Sequence, residues 1–298
     1  MNNKENFALG IDIGGTKISY CLINKKGEII SEIKKEHTPK TKDEIVSAFK
    51  NIISKYEDSD IDFVAIATAG AVNKEHNKIV GSTGNLPKGY PDIVFSKLSS
   101  KKTIFIENDA NCASWAEHKI GASKDYDNSI MLTFGTGVGG GIIIENKLLK
   151  GASGAAGEVH FIMSREFKRA CTCGNHDCFE AYTSGNGLKK TASEIFKDDT
   201  ITTYDVIARQ KEGDKKAILA LETWQNDIKD GILSLQNIFD TQCFVLSGSM
   251  AKFIDEKKIE SEVNKTSLTS SIKVKQAQTG DSSGMIGAVL LAYDTLKV

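Results

Sequence analysis

The chain has 298 residues, 40% of them hydrophobic and 26% charged, which suffices for two modest cores and shows no bias toward disorder. Its formal net charge of -1 and pI near 6.5 speak against a nucleic-acid or membrane-surface protein, whose partners select a basic face. The polar residues 1–6, and Asp12 interrupting the first apolar run, give neither a signal peptide nor a transmembrane span, so a cytoplasmic location is expected.

The opening predicts strands over 7–13, 18–24 and 27–34 in an antiparallel meander, with Lys25-Lys26-Gly27 as a tight connection. Ile45, Phe49, Ile52, Ile53 and Tyr56 recur at helical spacing and predict an amphipathic crossover helix over 42–56. The apolar runs 63–67 and 103–106 suit buried parallel strands, and a helix-favouring stretch follows at 112–120. A further strand is predicted at 130–134. Past Ala181 the pattern turns helical, and Leu219, Leu221, Trp224, Ile228, Ile232, Leu235 and Ile238 mark a long helix over 217–239 that suits either core packing or a dimer face. Cys21, Cys112 and Cys243 sit in apolar runs as buried small hydrophobes, whereas Cys171, Cys173 and Cys178 cluster as metal ligands do.

Two glycine turns carry the chemistry. Asp12-Ile13-Gly14-Gly15-Thr16-Lys17 joins two strands, and glycines let several backbone N–H groups converge on phosphate oxygens. Asp12 is placed to hold the magnesium of MgATP through water, with the Thr16 hydroxyl and the Lys17 charge nearby; an ordinary hairpin is the plainer alternative. Gly135-Thr136-Gly137-Val138-Gly139-Gly140-Gly141 has neither P-loop spacing nor the strand–helix context of a dinucleotide fingerprint. Strand, glycine turn and strand recur over 8–27 and 131–147, which suggests two related domains, the plainer alternative being a coincidence of two hairpins. Glu107-Asn108-Asp109 lies between a strand end and a helix start, where Asp109 suits a general base, although such residues also serve as helix caps.

The ordered set of segments 10–17, 107–111, 135–141, 154–158, 171–180 and 246–248 resembles the ROK family of sugar kinases and repressors, within the actin-like ATPase superfamily, over nearly the whole length. The resemblance implies an α/β fold of two actin-like ATPase (ribonuclease H-like) domains with a ligand cleft between them. The small domain is expected over 1–112, completed by a C-terminal helix at 285–298, and the large one over 113–284 with a zinc-cluster loop. It further implies that Asp12, Gly14, Gly15, Thr16 and Lys17, with Thr136, Gly137, Gly139 and Gly140, hold the phosphates of ATP with Mg2+, and that Gly248 approaches the adenosine. Asp109 is then the base for a sugar 6-hydroxyl, and Asn85, Asn108, Glu158, His160 and Glu180 bind the sugar. The implied substrate is glucose or an N-acylhexosamine such as N-acetylmannosamine or N-acetylglucosamine, and the implied assembly a homodimer.

Cys171, Cys173 and Cys178 resemble the family's zinc cluster, which three thiolates complete with one histidine. The family histidine falls at Phe161 here, with His160 one residue early. The fourth ligand is His160 if the loop is shortened, and otherwise His176 or water. Asp177 stands where the family has glycine, and Ser249 where a second glycine often follows Gly248. A regulator of the same family would carry a DNA-reading helix-turn-helix ahead of the core, and little chain precedes Leu9-Gly10 here. A chaperone-type or actin-type ATPase would need no sugar pocket, against which Asn108, Asp109, Glu158 and Glu180 argue.

Overall fold

A computed structural model of the chain describes residues 6–81, 86–159, 161–163, 165–166, 168–171, 173–268 and 271–298. In chain order it has β1 (Phe7–Ile13), β2 (Lys17–Asn24), β3 (Lys34–His37), α1 (Lys42–Ser54), β4 (Val64–Thr68), β5 (Ala71–Val72), β6 (Ile79–Gly81), β7 (Ile104–Asn108) and α2 (Asp109–Ile120). Then follow β8 (Ser129–Phe134), β9 (Val138–Ile144), β10 (Lys147–Leu148), α3 (Phe179–Thr183), α4 (Gly185–Phe196), α5 (Thr203–Lys211), α6 (Lys215–Phe239), β11 (Cys243–Ser247), α7 (Glu256–Thr266), β12 (Lys273–Gln276) and α8 (Ser283–Leu296). The chain divides into two units, one of Met1–Asp125, Gly141–Gly157 and Gln278–Val298, the other of Tyr126–Gly140 and Glu158–Ala277.

In the first unit the strand order is β3-β2-β1-β4-β7, antiparallel through β3, β2 and β1 and parallel through β1, β4 and β7. Alternation along β1 sends Leu9, Ile11 and Ile13 to one face, where they meet Ile45, Phe49, Ile52 and Ile53 of α1. Ala8 faces the other way, into a layer with Phe105, with Cys112 and Trp115 of α2, and with Met285 and Val289 of α8. Thr41 starts α1 by accepting from Glu44 N–H, as an N-cap does.

One expectation is corrected here. The third strand is β3, not 27–34; only an Ile23–Ile29 bridge forms in the expected stretch. Gly27 is left-handed (φ 82°), and the Ser31 hydroxyl takes Leu22 N–H at 2.8 Å, so a side chain replaces the ladder acceptor until pairing resumes at Lys34. The first unit holds all of α2 together with 141–157. The reason is that α2 lies along α8, and the two share one buried layer.

In the second unit β11 runs parallel to both β8 and β12, in register Cys243↔Ser129 and Cys243↔Lys273. The long helix α6 turns Trp224, Ile228, Ile232 and Leu235 inward and leaves Leu219 and Ile238 exposed. Trp224 Nε1 donates to Thr183 O at 2.8 Å, fixing α3 against α6. Cys21, Cys112 and Cys243 are buried. Among the described residues no helix is long and apolar enough to cross a membrane.

Candidate functional site

The β1–β2 connection is a closed turn in which Gly14 N–H donates to Lys17 O at 3.0 Å. Thr38, just beyond β3, braces it through Thr38 Oγ1 to Gly14 O (2.6 Å) and Thr38 N–H to Thr16 O (3.1 Å). Gly15, Thr16 and Lys17 are exposed on this turn. Asp12 lies at its base, and its carboxyl is pushed up to about 7, first by burial and then by the charge of Asp109, against a smaller opposing pull from Lys17. A buried carboxyl at the foot of a glycine turn and beside a second acidic residue suits a bound metal ion. A Cβ on Gly284 would lie 2.8 Å from Asp12 Oδ2, so glycine lets the start of α8 close on this carboxylate. No motif in the sequence points to Gly284, whose role rests on an approach between residues 272 positions apart.

α2 begins at Asp109 rather than at 112, because Asn108 caps it by accepting from Asn111 N–H at 3.0 Å. The Asn108 amide also donates to Gly70 O at 3.1 Å, which fixes its orientation. Asp109 is the first helical residue, partly exposed, and its Oδ1 accepts from Ala110 N–H at 2.8 Å. Thus Asn108 is the cap of α2.

In the second unit Gly135 N–H donates to Gly137 O at 2.9 Å and closes the turn between β8 and β9. The start of α4 seats on it, with Gly185 N–H to Gly135 O at 2.8 Å and Asn186 Nδ2 to Thr136 O at 3.0 Å. Glu180 of α3 accepts from Val138 N–H at 3.0 Å, and a Cβ on Gly137 would lie 2.5 Å from that same carboxylate oxygen. Gly248 is left-handed (φ 88°), and a side chain there would meet Phe134 O at 2.4 Å. Thr136, Gly137, Glu180 and Gly248 are therefore brought around one turn. Gly139 and Gly140 continue into β9, and Glu158 is exposed at the end of the preceding loop. Asn85 and His160 lie outside the described residues.

The sulfurs of Cys171, Cys173 and Cys178 lie within 4.8 Å of one another, with Cys173 and Cys178 at 3.5 Å. Zinc–sulfur bonds of about 2.3 Å in a tetrahedron set sulfurs about 3.8 Å apart, so this donor set fits zinc. His176 is exposed and is not part of the cluster of donor atoms. Phe161, at the expected histidine position, instead stacks on Phe179 with ring centroids 4.8 Å apart. Asp177 is left-handed (φ 55°), which explains the expected glycine. Its carboxylate takes Arg169 N–H (2.9 Å), Arg165 N–H (3.0 Å) and Tyr182 OH (2.6 Å), so it fastens the cysteine loop.

The ROK family model matches residues 8–295. The chain belongs to the ROK family. The N-acetylmannosamine kinase of Escherichia coli O6:H1 is 31% identical to this ROK chain over 293 residues, covering 97% of it and 99% of the relative. The glucokinase of Streptomyces coelicolor is 29% identical over 320 residues, covering 96% and 97%. Among solved structures, the ROK family glucokinase from Streptomyces griseus in complex with glucose and AMPPNP aligns with a TM-score of 0.77 at 28% identity, covering 97% of this chain and 100% of that one. The two-unit α/β architecture is thus that of ROK kinases, which carry the actin-like ATPase fold.

Proposed function

We propose that this ROK chain is an ATP-dependent hexose kinase that transfers the γ-phosphate to the 6-hydroxyl of a sugar. The observation that carries this reading lies within the first unit: a glycine turn headed by Asp12 stands near enough to Asp109 for one carboxylate to raise the other. In this reading Asp109 accepts the hydroxyl proton as the bond to phosphorus forms, an effect worth about 10²- to 10⁴-fold. Asp12 would hold magnesium, which when bound neutralises charge on the phosphates. Gly14 to Lys17 and Thr136 to Gly140 take phosphate oxygens, Gly248 approaches the adenosine, and Asn108, Glu158 and Glu180 take sugar hydroxyls. Relatives named for glucose and for N-acetylmannosamine favour glucose or an N-acylhexosamine as substrate. ATP turnover with and without a panel of hexoses tests the reading. Sugar-dependent formation of a 6-phosphate is expected, and hydrolysis indifferent to every sugar sinks it.

The state of Asp12 gives a pH dependence. Its carboxyl is raised to about 7, so below that pH a proton competes with magnesium. KM for MgATP is expected to rise about tenfold per pH unit below 7 and to level off above it. Asp12→Asn should abolish that slope; an unchanged slope in the variant assigns it elsewhere. In metal-free protein the sign reverses for stability. The native carboxyl keeps a proton that the unfolded chain releases, so this group's contribution is full below the ordinary value of 3.8 and is lost as pH rises through 7.

The cysteine cluster is read as a structural zinc site, its three thiolates completed by a fourth ligand. Elemental analysis is expected to give about one zinc per chain, and Cys178→Ser to lower the melting temperature. Zinc content near zero in protein purified without chelators removes the site.

A further inference from the structure

Along β7, Ile104 and Ile106 enter the layer beneath α1 while Phe105 enters the opposite layer with α2 and α8. Glu107 shares the face of Phe105 and is 0% exposed. A carboxylate taken out of water there needs donors or a cation. Lys150 Nζ reaches both of its oxygens, at 2.7 and 2.6 Å. Asn108 N–H (2.8 Å) and Asn111 Nδ2 (3.1 Å) donate to Oε1, and His76 Nδ1 lies 2.9 Å from Oε2. Burial works to raise this carboxyl, but His76 and Lys150 outweigh it and hold it below the usual range.

Two of these donors belong to the turn that presents Asp109. Asn108 is its cap, and Asn111 sits in the first turn of α2. Lys150 donates in addition to Val72 O at 2.9 Å. Four residues on, Gly154 is left-handed (φ 99°), and a Cβ there would lie 1.9 Å from the same Val72 O. The segment that runs on to Glu158 is therefore seated on the end of β5 and held at one carboxylate to the start of α2. For stability alone, an apolar pair at 107 and 150 would serve this layer as well, since packed hydrophobic residues commonly replace a buried ion pair without loss. An apolar pair cannot accept Asn108 N–H.

We propose that Glu107 and Lys150 are positioning residues for phosphoryl transfer, fixing the backbone that presents Asp109 and tying it to the segment leading to Glu158. The inference rests on the kinase reading above. Native protein is assayed first with the hexose panel, and absence of sugar-stimulated turnover overturns that reading and this inference together. With native turnover established, Lys150→Met is expected to lower kcat about 10- to 100-fold while KM for MgATP changes less than about threefold. The double variant Glu107→Leu, Lys150→Met removes the unpaired buried charge but leaves Asn108 N–H without its acceptor, so it is expected to melt above the Lys150→Met variant yet keep the lowered kcat. Native kcat in either variant overturns the positioning role while leaving the kinase reading intact.

Discussion

Asp109→Asn is expected to lower kcat by roughly 10³-fold while sugar affinity changes by no more than a few-fold. The amide has nearly the shape of the carboxylate, and its oxygen can still accept Ala110 N–H, the bond made at 2.8 Å by Asp109 Oδ1. The cap on α2 is untouched, because Asn108 makes it. What is lost is the capacity to accept a proton, which a sugar hydroxyl must give up as it attacks phosphorus. A second readout comes from Asp12. Since the charge of Asp109 helps to raise its neighbour's carboxyl to about 7, neutralising Asp109 should move the pH at which KM for MgATP begins to rise toward lower values. Steady-state kinetics and sugar binding by calorimetry across pH read both effects. Retained phosphoryl transfer would remove Asp109 as the base, and an unmoved pH profile would separate it from Asp12.

Short-range features of the sequence translated well into structure. The turn at Gly14-Gly15 is framed by β1 and β2, the stripe Ile45, Phe49, Ile52 and Ile53 is buried on α1, and three cysteines spaced over eight residues do converge. Each of these depends on local spacing, which periodicity reports directly. What stayed hidden depends on partners distant in the chain or on conformation. Glu107 and Lys150 lie 43 residues apart, and nothing in the alternation of β7 says that a charge on its inner face will find a lysine. The signal available was the charge itself: an acidic residue continuing an apolar strand on its buried face demands a partner. Ser31 reads as an ordinary strand residue until its hydroxyl takes Leu22 N–H. Phe161 reads as a displaced ligand position until its ring is seen stacked on Phe179.

Gly287→Ala is expected to destabilise the protein by about 2–4 kcal/mol, although glycine to alanine inside a helix ordinarily gains about 1 kcal/mol. The sign inverts because a Cβ at Gly287 would lie 1.7 Å from Cys112 O, which is backbone of α2 and cannot rotate away. The two helices must separate, and Met285, Ala288 and Val289 would lose their seating against Cys112, Trp115 and Ala116. Calorimetry should show a melting temperature lower by several degrees. Activity should fall as well, because α2 opens with Asp109 and α8 brings Gly284 up to the Asp12 carboxylate. The close approach of these two helices thus sets both carboxylates of the proposed reaction from behind. A variant that melts at or above the native temperature with native kcat would show that the helices can part at no cost, and the spacing at Gly287 would then have no bearing on either acid.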